Sequence, residues 1–220
     1  MHDVRAGLLT AGTLIAFLLD RSGSMQSIKS DVVGGFDAFL TEQRGGDGEC
    51  RVTLAQFDNE YEVVYHDVPV GEVPPLALNP RGSTALLDSM GKLITDTAAE
   101  ISARAEDDRP GSVIIAIMTD GLENASHEWS RPAIKSLVEQ QTNEFGWEFL
   151  YMGADQDAVE VGRGLGVKAE QAVSYGRGKS REAMAAMSGN VRGYRSAKIA
   201  DMDAAMPAFS DAQRVELAED

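Results

Sequence analysis

The sequence predicts an α/β fold: a doubly wound, mostly parallel sheet of six strands with helices on both faces. Two apolar runs, Thr13 to Leu19 and Ser112 to Thr119, are long enough for strands and too short for helices of ordinary length. Runs of that kind suit central strands covered on both sides. Strand-like segments also alternate with stretches of helical periodicity along the chain, the pattern of parallel strands joined by crossover helices. One connection, Asp58-Asn59-Glu60, is too short for a crossover and forces its two strands to run antiparallel.

Residues 1–12 read as a loose lead-in, 13–200 as the folded domain and 201–220 as an acidic tail. The first strand stops abruptly at Asp20, and Gly23 lets the backbone turn tightly just beyond it. Ile28, Val32, Phe36, Phe39 and Leu40 then share one helical face. Gly45-Gly46-Asp47-Gly48 ends that helix near Arg44. Arg51 to Phe57 alternates, with Val52, Leu54 and Gln56 on one face and Thr53, Ala55 and Phe57 on the other; Tyr61 to Asp67 is its antiparallel partner. A Pro-rich connection, Pro69 to Arg81, delivers Gly82-Ser83-Thr84 to a helix striped by Leu86, Leu87, Met90, Leu93, Ile94 and Ile101. The charged loop Ala105 to Gly111 leads into the strand Val113 to Met118, which ends at Asp120.

After the loop Leu122 to Trp129, Ser130 is suited to cap a helix with Pro132 in its first turn. Ile134, Leu137, Val138 and Phe145 are that helix's apolar positions. Trp147 to Met152 is the fifth strand, and a short helix with Val159 and Val161 follows. Ala172 to Tyr175 is a short last strand, and Ser180 to Ala197 a final helix carrying Met184, Met187, Val191 and Tyr194. In the tail six acids (Asp201, Asp203, Asp211, Glu216, Glu219, Asp220) face one base, Arg214.

Composition narrows the function. The net charge of −15 repels phosphate backbones, which disfavours nucleic acid and anionic membranes as partners. No apolar stretch reaches the ~18 residues that span a bilayer. Arg5 followed by Ala6 to Leu19 imitates a secretory signal, but cleavage there would remove the strand that ends at Asp20, so the run reads as a core strand. Cys50 is the single cysteine, and a lone thiol fits a reducing compartment. A cytoplasmic protein is the expectation.

Asp20, Ser22 and Ser24 place one carboxylate and two hydroxyls at alternate positions where a buried strand surfaces. Oxygens of that kind suit a hard cation such as Mg²⁺. Gly82-Ser83-Thr84 ahead of a helix, and Met118-Thr119-Asp120-Gly121 closing an apolar run, fit the same site. Together these segments resemble the von Willebrand factor A (vWA) family and its metal-ion-dependent adhesion site. The family pattern is D-x-S-x-S, then a Thr in a loop, then an Asp ending the fourth strand. It reads here as Asp20, Ser22, Ser24, Thr84 and Asp120, with no position missing. The resemblance covers Leu14 to Tyr151 well and the remainder loosely.

The resemblance implies a Rossmann-like sheet with one antiparallel edge strand. It also implies a metal site in which Ser22, Ser24 and Thr84 coordinate directly or through water, while Asp20 and Asp120 act largely through water. Mg²⁺ is the implied ion, with Mn²⁺ or Ca²⁺ as alternatives. An Asp or Glu of a partner protein is the usual further ligand, and the activity implied is protein binding rather than catalysis. Small cytosolic bacterial members of the family often work beside AAA ATPases.

Two other readings stand beside this one. Ser22, Ser24 and Thr84 also suit helix caps, Asp20 suits loop amides and Asp120-Gly121 suits a turn, which describes a metal-free structural subunit. A metal-dependent phosphohydrolase with Asp20 as nucleophile resembles the haloacid-dehalogenase pattern, but the second Asp of that pattern is Ser22 here, and no histidine is placed as a base. Gly162-x-Gly164-x-Gly166 imitates a nucleotide loop but lacks the strand before it and the helix after it, so it reads as a helix C-terminus. His2, His66 and His127 show no ligand spacing. Asp155 and Asp157 suit either the margin of the metal site or a helix N-terminus, and Glu123 with Asn124 suits a rim that selects partners.

Overall fold

The computed structural model describes residues 12–218. Of the lead-in only Gly12 falls among them. Six strands form one sheet in the order β3-β2-β1-β4-β5-β6. They are β1 Thr13–Asp20, β2 Cys50–Phe57, β3 Tyr61–Pro69, β4 Ser112–Thr119, β5 Glu148–Ala154 and β6 Ala172–Tyr175. Among the described residues only the edge pair β2–β3 is antiparallel; β1 pairs in parallel with both β2 and β4. The three-residue turn from Asp58 to Glu60 leaves no other geometry.

β1 and β4 are buried along their whole length, as their apolar runs require. Alternate residues face opposite layers. Ile15, Phe17 and Leu19 join one core, and Ala16 and Leu18 join the other. The first core is covered by α1 (Lys29–Arg44) and the second by α2 (Leu86–Ala103) and α3 (Arg131–Phe145). The short α4 (Ala158–Gly164) adds Ala158 to the second core. α5 (Ser180–Ala200) lies against α1 and contributes Met184, Met187, Val191 and Tyr194 to the first. Phe17 meets Phe36 edge-on at 5.1 Å between ring centroids and Phe39 at 5.9 Å, contacts worth about 0.5–1.5 kcal/mol each beyond area burial. Arg195 of α5 donates to the carbonyls of Gln43, Asp47 and Gly48, closing the C-terminal end of α1.

Two expectations are revised. Phe145 does not join the apolar stripe of α3; it lies at the last residue of the helix and is exposed. The segment of residues 201–218 is docked rather than trailing. It includes α6 (Asp211–Ala218), and Met206, Phe209 and Leu217 are buried in the first core. Arg214 reaches back to the carbonyls of Ala172 and Ala169 at 2.7 and 3.0 Å. Its acids drew attention in the sequence, but three apolar side chains decide its position.

Candidate metal centre

β1 and β4 are neighbours, and the chain runs outward from them in opposite directions. The crevice beyond their carboxyl ends is therefore the place where an open α/β sheet receives ligands. Asp20 ends β1 and Asp120 follows β4 directly. Ser22 and Ser24 lie in the loop after β1, and Thr84 lies two residues before α2. The fold thus brings all five predicted side chains to one mouth.

Asp20 is fully buried. One carboxylate oxygen accepts the Ser22 amide at 2.6 Å and the other accepts the Thr119 hydroxyl at 2.6 Å. Burial pushes its pKa up to about 6, against the lowering effect of those hydrogen bonds, and the nearby charge of Asp120 adds to the rise. Ser22 and Ser24 hold their hydroxyls 3.1 Å apart, and Ser24 donates to Asp120 at 2.6 Å. Thr84 lies across Gly121 from Ser24. A Cβ added to Gly121 would sit 3.2 Å from the Thr84 hydroxyl and 3.9 Å from that of Ser24, so a glycine keeps the space between those two hydroxyls clear. Among the described residues no three His, Cys, Asp or Glu side chains form a metal cluster. A metal at this mouth would depend on hydroxyls as well as carboxylates.

The helix-capping reading of these hydroxyls does not match the contacts. Ser22 makes no side-chain cap. At the start of α2 the Leu87 amide is taken by Glu123 and the Asp88 amide by the Ser126 hydroxyl. Thr84 instead offers its own amide to Asn124 at 2.9 Å. Glu123 and Asn124 are thus structural ties of the rim. Burial works to raise the Glu123 pKa, but the amides of Leu87, Ser126 and Ala125 and the Ser126 hydroxyl hold it below the usual range. Asp157 caps α4 through the Glu160 amide, and the His127 amide donates to Asp88.

Gly82 adopts φ +68°, and a Cβ there would meet the Asn59 carboxamide at 2.1 Å, so glycine is required. Its carbonyl accepts the Gly23 amide at 3.2 Å, tying the Thr84 loop to the Ser22–Ser24 loop. Behind this contact lies an ion-pair cluster centred on the buried Asp58 and Arg21. Asp58, fully buried, accepts from Arg21 at 3.1 Å and Arg81 at 2.7 Å, and Arg21 also pairs with Glu62. The Ala85 amide donates to the Asp58 carbonyl at 2.8 Å, so the turn between β2 and β3 also positions Thr84.

Sequence reasoning missed Arg177, which lies between β6 and α5. Its Nη1 is 2.9 Å from Asp120 and its Nε 2.6 Å from Asp155. No motif marks it; only the β5 and β6 ends coming together bring it to the site. Asp155 touches the site through this arginine.

No family model and no curated protein matches the chain. Solved structures do. The vWF domain of the type V pili tip protein Mfa5 from Porphyromonas gingivalis aligns with a TM-score of 0.60 at 11% identity, covering 84% of this chain and 97% of that one. Proximal thread matrix protein 1 from the mussel byssus aligns at 0.57 and 14% identity, over 82% of this chain and 46% of that one. The ArnB paralog VWA2 from Sulfolobus acidocaldarius aligns at 0.52 and 14% identity, over 80% and 45%. The chain thus spans less than half the length of the last two. The thread protein has also been solved with a zinc-occupied metal-ion-dependent adhesion site. The sheet order, its single antiparallel edge and these alignments give the chain the von Willebrand factor A fold.

Proposed function

We propose that the chain is a metal-dependent protein-binding module. Asp20, Ser22, Ser24, Thr84 and Asp120 hold a divalent cation, and an Asp or Glu carboxylate of a partner protein completes its coordination. The observation that carries this reading is the Ser22–Ser24–Asp120 chain of contacts at 3.1 and 2.6 Å beside a Thr84 hydroxyl that caps no helix. When bound, the cation supplies an electrophilic point at the mouth of the sheet. Neutral hydroxyls offset little of its charge, so it remains receptive to an anionic oxygen. The donor set, all oxygen, suits Mg²⁺, Mn²⁺ or Ca²⁺, and the zinc-occupied thread protein widens that choice.

Catalysis is not part of the proposal, because the position where a phosphohydrolase would need its second acid is Ser22. Among the described residues no helix is long and apolar enough to cross a membrane. A cytoplasmic setting belongs to the proposal on the strength of Cys50, lone and buried.

The test is thermal. Saturating Mg²⁺ or Mn²⁺ at a hundredfold excess over Kd stabilises by about 2.7 kcal/mol, a rise in Tm of about 5–10 °C for a chain of this size. Thr84→Ala and Asp20→Ala should each abolish it. No shift with any of Mg²⁺, Mn²⁺, Ca²⁺ or Zn²⁺ would leave a metal-free structural subunit. Turnover of a phosphate ester, lost in Asp20→Ala, would establish the hydrolase instead. A pull-down with and without EDTA, wild type against Thr84→Ala, then identifies the partner.

A further inference from the structure

Arg177 has more hydrogen-bonding capacity than its contacts use. Its Nε serves Asp155 at 2.6 Å. Its Nη1 serves Asp120 at 2.9 Å, the Ser27 hydroxyl at 3.2 Å and the Ser24 carbonyl at 3.3 Å. Among the described residues its Nη2 has no acceptor, and the side chain is 38% exposed. Two N–H donors are therefore available on a guanidinium fixed against one of the proposed metal-site carboxylates. A guanidinium held from two sides loses little further freedom when it takes another acceptor.

The local charge points the same way. Asp20, Asp120 and Asp155 bring three negative charges, and Arg177 brings one positive. A divalent cation would then leave the loaded site neutral. Without Arg177 it would be anionic, on a molecule whose net charge is already −15, and an incoming carboxylate would meet repulsion at close range. A carboxylate also has two oxygens, and a single metal ligation uses one of them.

We infer that Arg177 is the second anchor for the partner, its Nη2 donors taking the carboxylate oxygen that the cation leaves free. The inference rests on the metal-dependent binding proposed above and adds the chemistry of what is recognised. The site selects a two-oxygen planar anion, an Asp or Glu side chain, over an amide, a hydroxyl or a backbone carbonyl.

The experiment uses the full chain loaded with Mn²⁺. Mn²⁺ affinity is read from water-proton relaxation, and displacement of metal-bound water is followed on adding the peptide acetyl-Gly-Glu-Gly-amide or its Gln counterpart. Charge-assisted hydrogen bonds are worth about 1.5–3 kcal/mol, so R177Q should weaken the Glu peptide at least about tenfold. It should leave Mn²⁺ affinity unchanged or tighter, and R177K should fall between. The Gln peptide should bind wild type and R177Q alike. Unaltered Glu-peptide binding in R177Q overturns the inference. Equal losses of Mn²⁺ and peptide overturn it too, because Arg177 would then only tie Asp120 to Asp155. Tighter peptide binding in R177Q would make the arginine a competitor for the site. If wild type takes up no Mn²⁺, the metal reading falls and the inference with it. If wild type binds both ligands and R177Q matches it, the inference alone falls.

Discussion

Gly121 shows how little space separates a usable cradle from a blocked one. A methyl group at this position would press on the Thr84 hydroxyl at 3.2 Å and approach that of Ser24 at 3.9 Å. Gly121→Ala should leave metal-free stability within about 1 kcal/mol of wild type, since a backbone free of positive φ accepts alanine. The Tm rise with Mg²⁺ should shrink by at least half; a full rise would show that Thr84 and Ser24 do not share an ion. The five oxygen-bearing residues were legible because the D-x-S-x-S spacing, the Thr before a helix and the Asp after an apolar run are all local patterns. Arg177 and Asp58 were not. Each acts on residues far away in the chain: Arg177 on Asp120, and Asp58 on Arg21 and Arg81. Such a pairing leaves no local trace in composition or periodicity.

The start of α2 depends on carboxylates rather than on an N-cap of its own. Asp88 accepts the amides of His127, Glu128 and Trp129 at 2.7, 2.9 and 2.8 Å. Burial alone would raise its pKa, but these amides, with the charge of His127, bring it below the ordinary value. Glu123 behaves in the same way. A depressed folded-state pKa stabilises the protein above the unfolded value, near pH 4, and the contribution is lost as pH falls through the folded value. The share that Asp88 and Glu123 contribute should therefore hold through neutral pH and be lost below about pH 4, whereas Asp20, with its folded pKa raised to about 6, adds stability as pH falls from neutral towards 4. Asp88→Asn should cost about 1–2 kcal/mol at pH 7 and flatten the decline, as read from urea midpoints across pH. An unchanged acid limb would remove Asp88 from this account. The sequence marked α2 by its stripe of Leu86, Met90, Leu93 and Ile94, but the residues that hold its first turn come from the loop after β4.

Across the molecule, two apolar layers enclose one sheet, and the first is completed by the segment that follows α5. Phe209 is only 3% exposed, its amide donates to the Glu170 carbonyl at 3.0 Å, and the Gly176 amide next to Arg177 donates to Leu217 at 2.9 Å. Phe209→Ala should cost about 3–5 kcal/mol in a single cooperative denaturation. A loss under about 1 kcal/mol, or an early separate transition, would mean the segment only lies on the surface. The sequence by itself determined the layer order, the antiparallel edge and the oxygen donors at the strand ends, because alternation, turn length and the D-x-S-x-S spacing act between near neighbours. The tertiary structure alone decided that Met206, Phe209 and Leu217 belong to the core, that Glu123 and Asn124 brace the rim, and that Arg177 stands over Asp120. Those outcomes depend on which distant surfaces meet once the sheet has closed, and burial and charge pairing reward contacts with no regard to how far apart the partners lie along the chain.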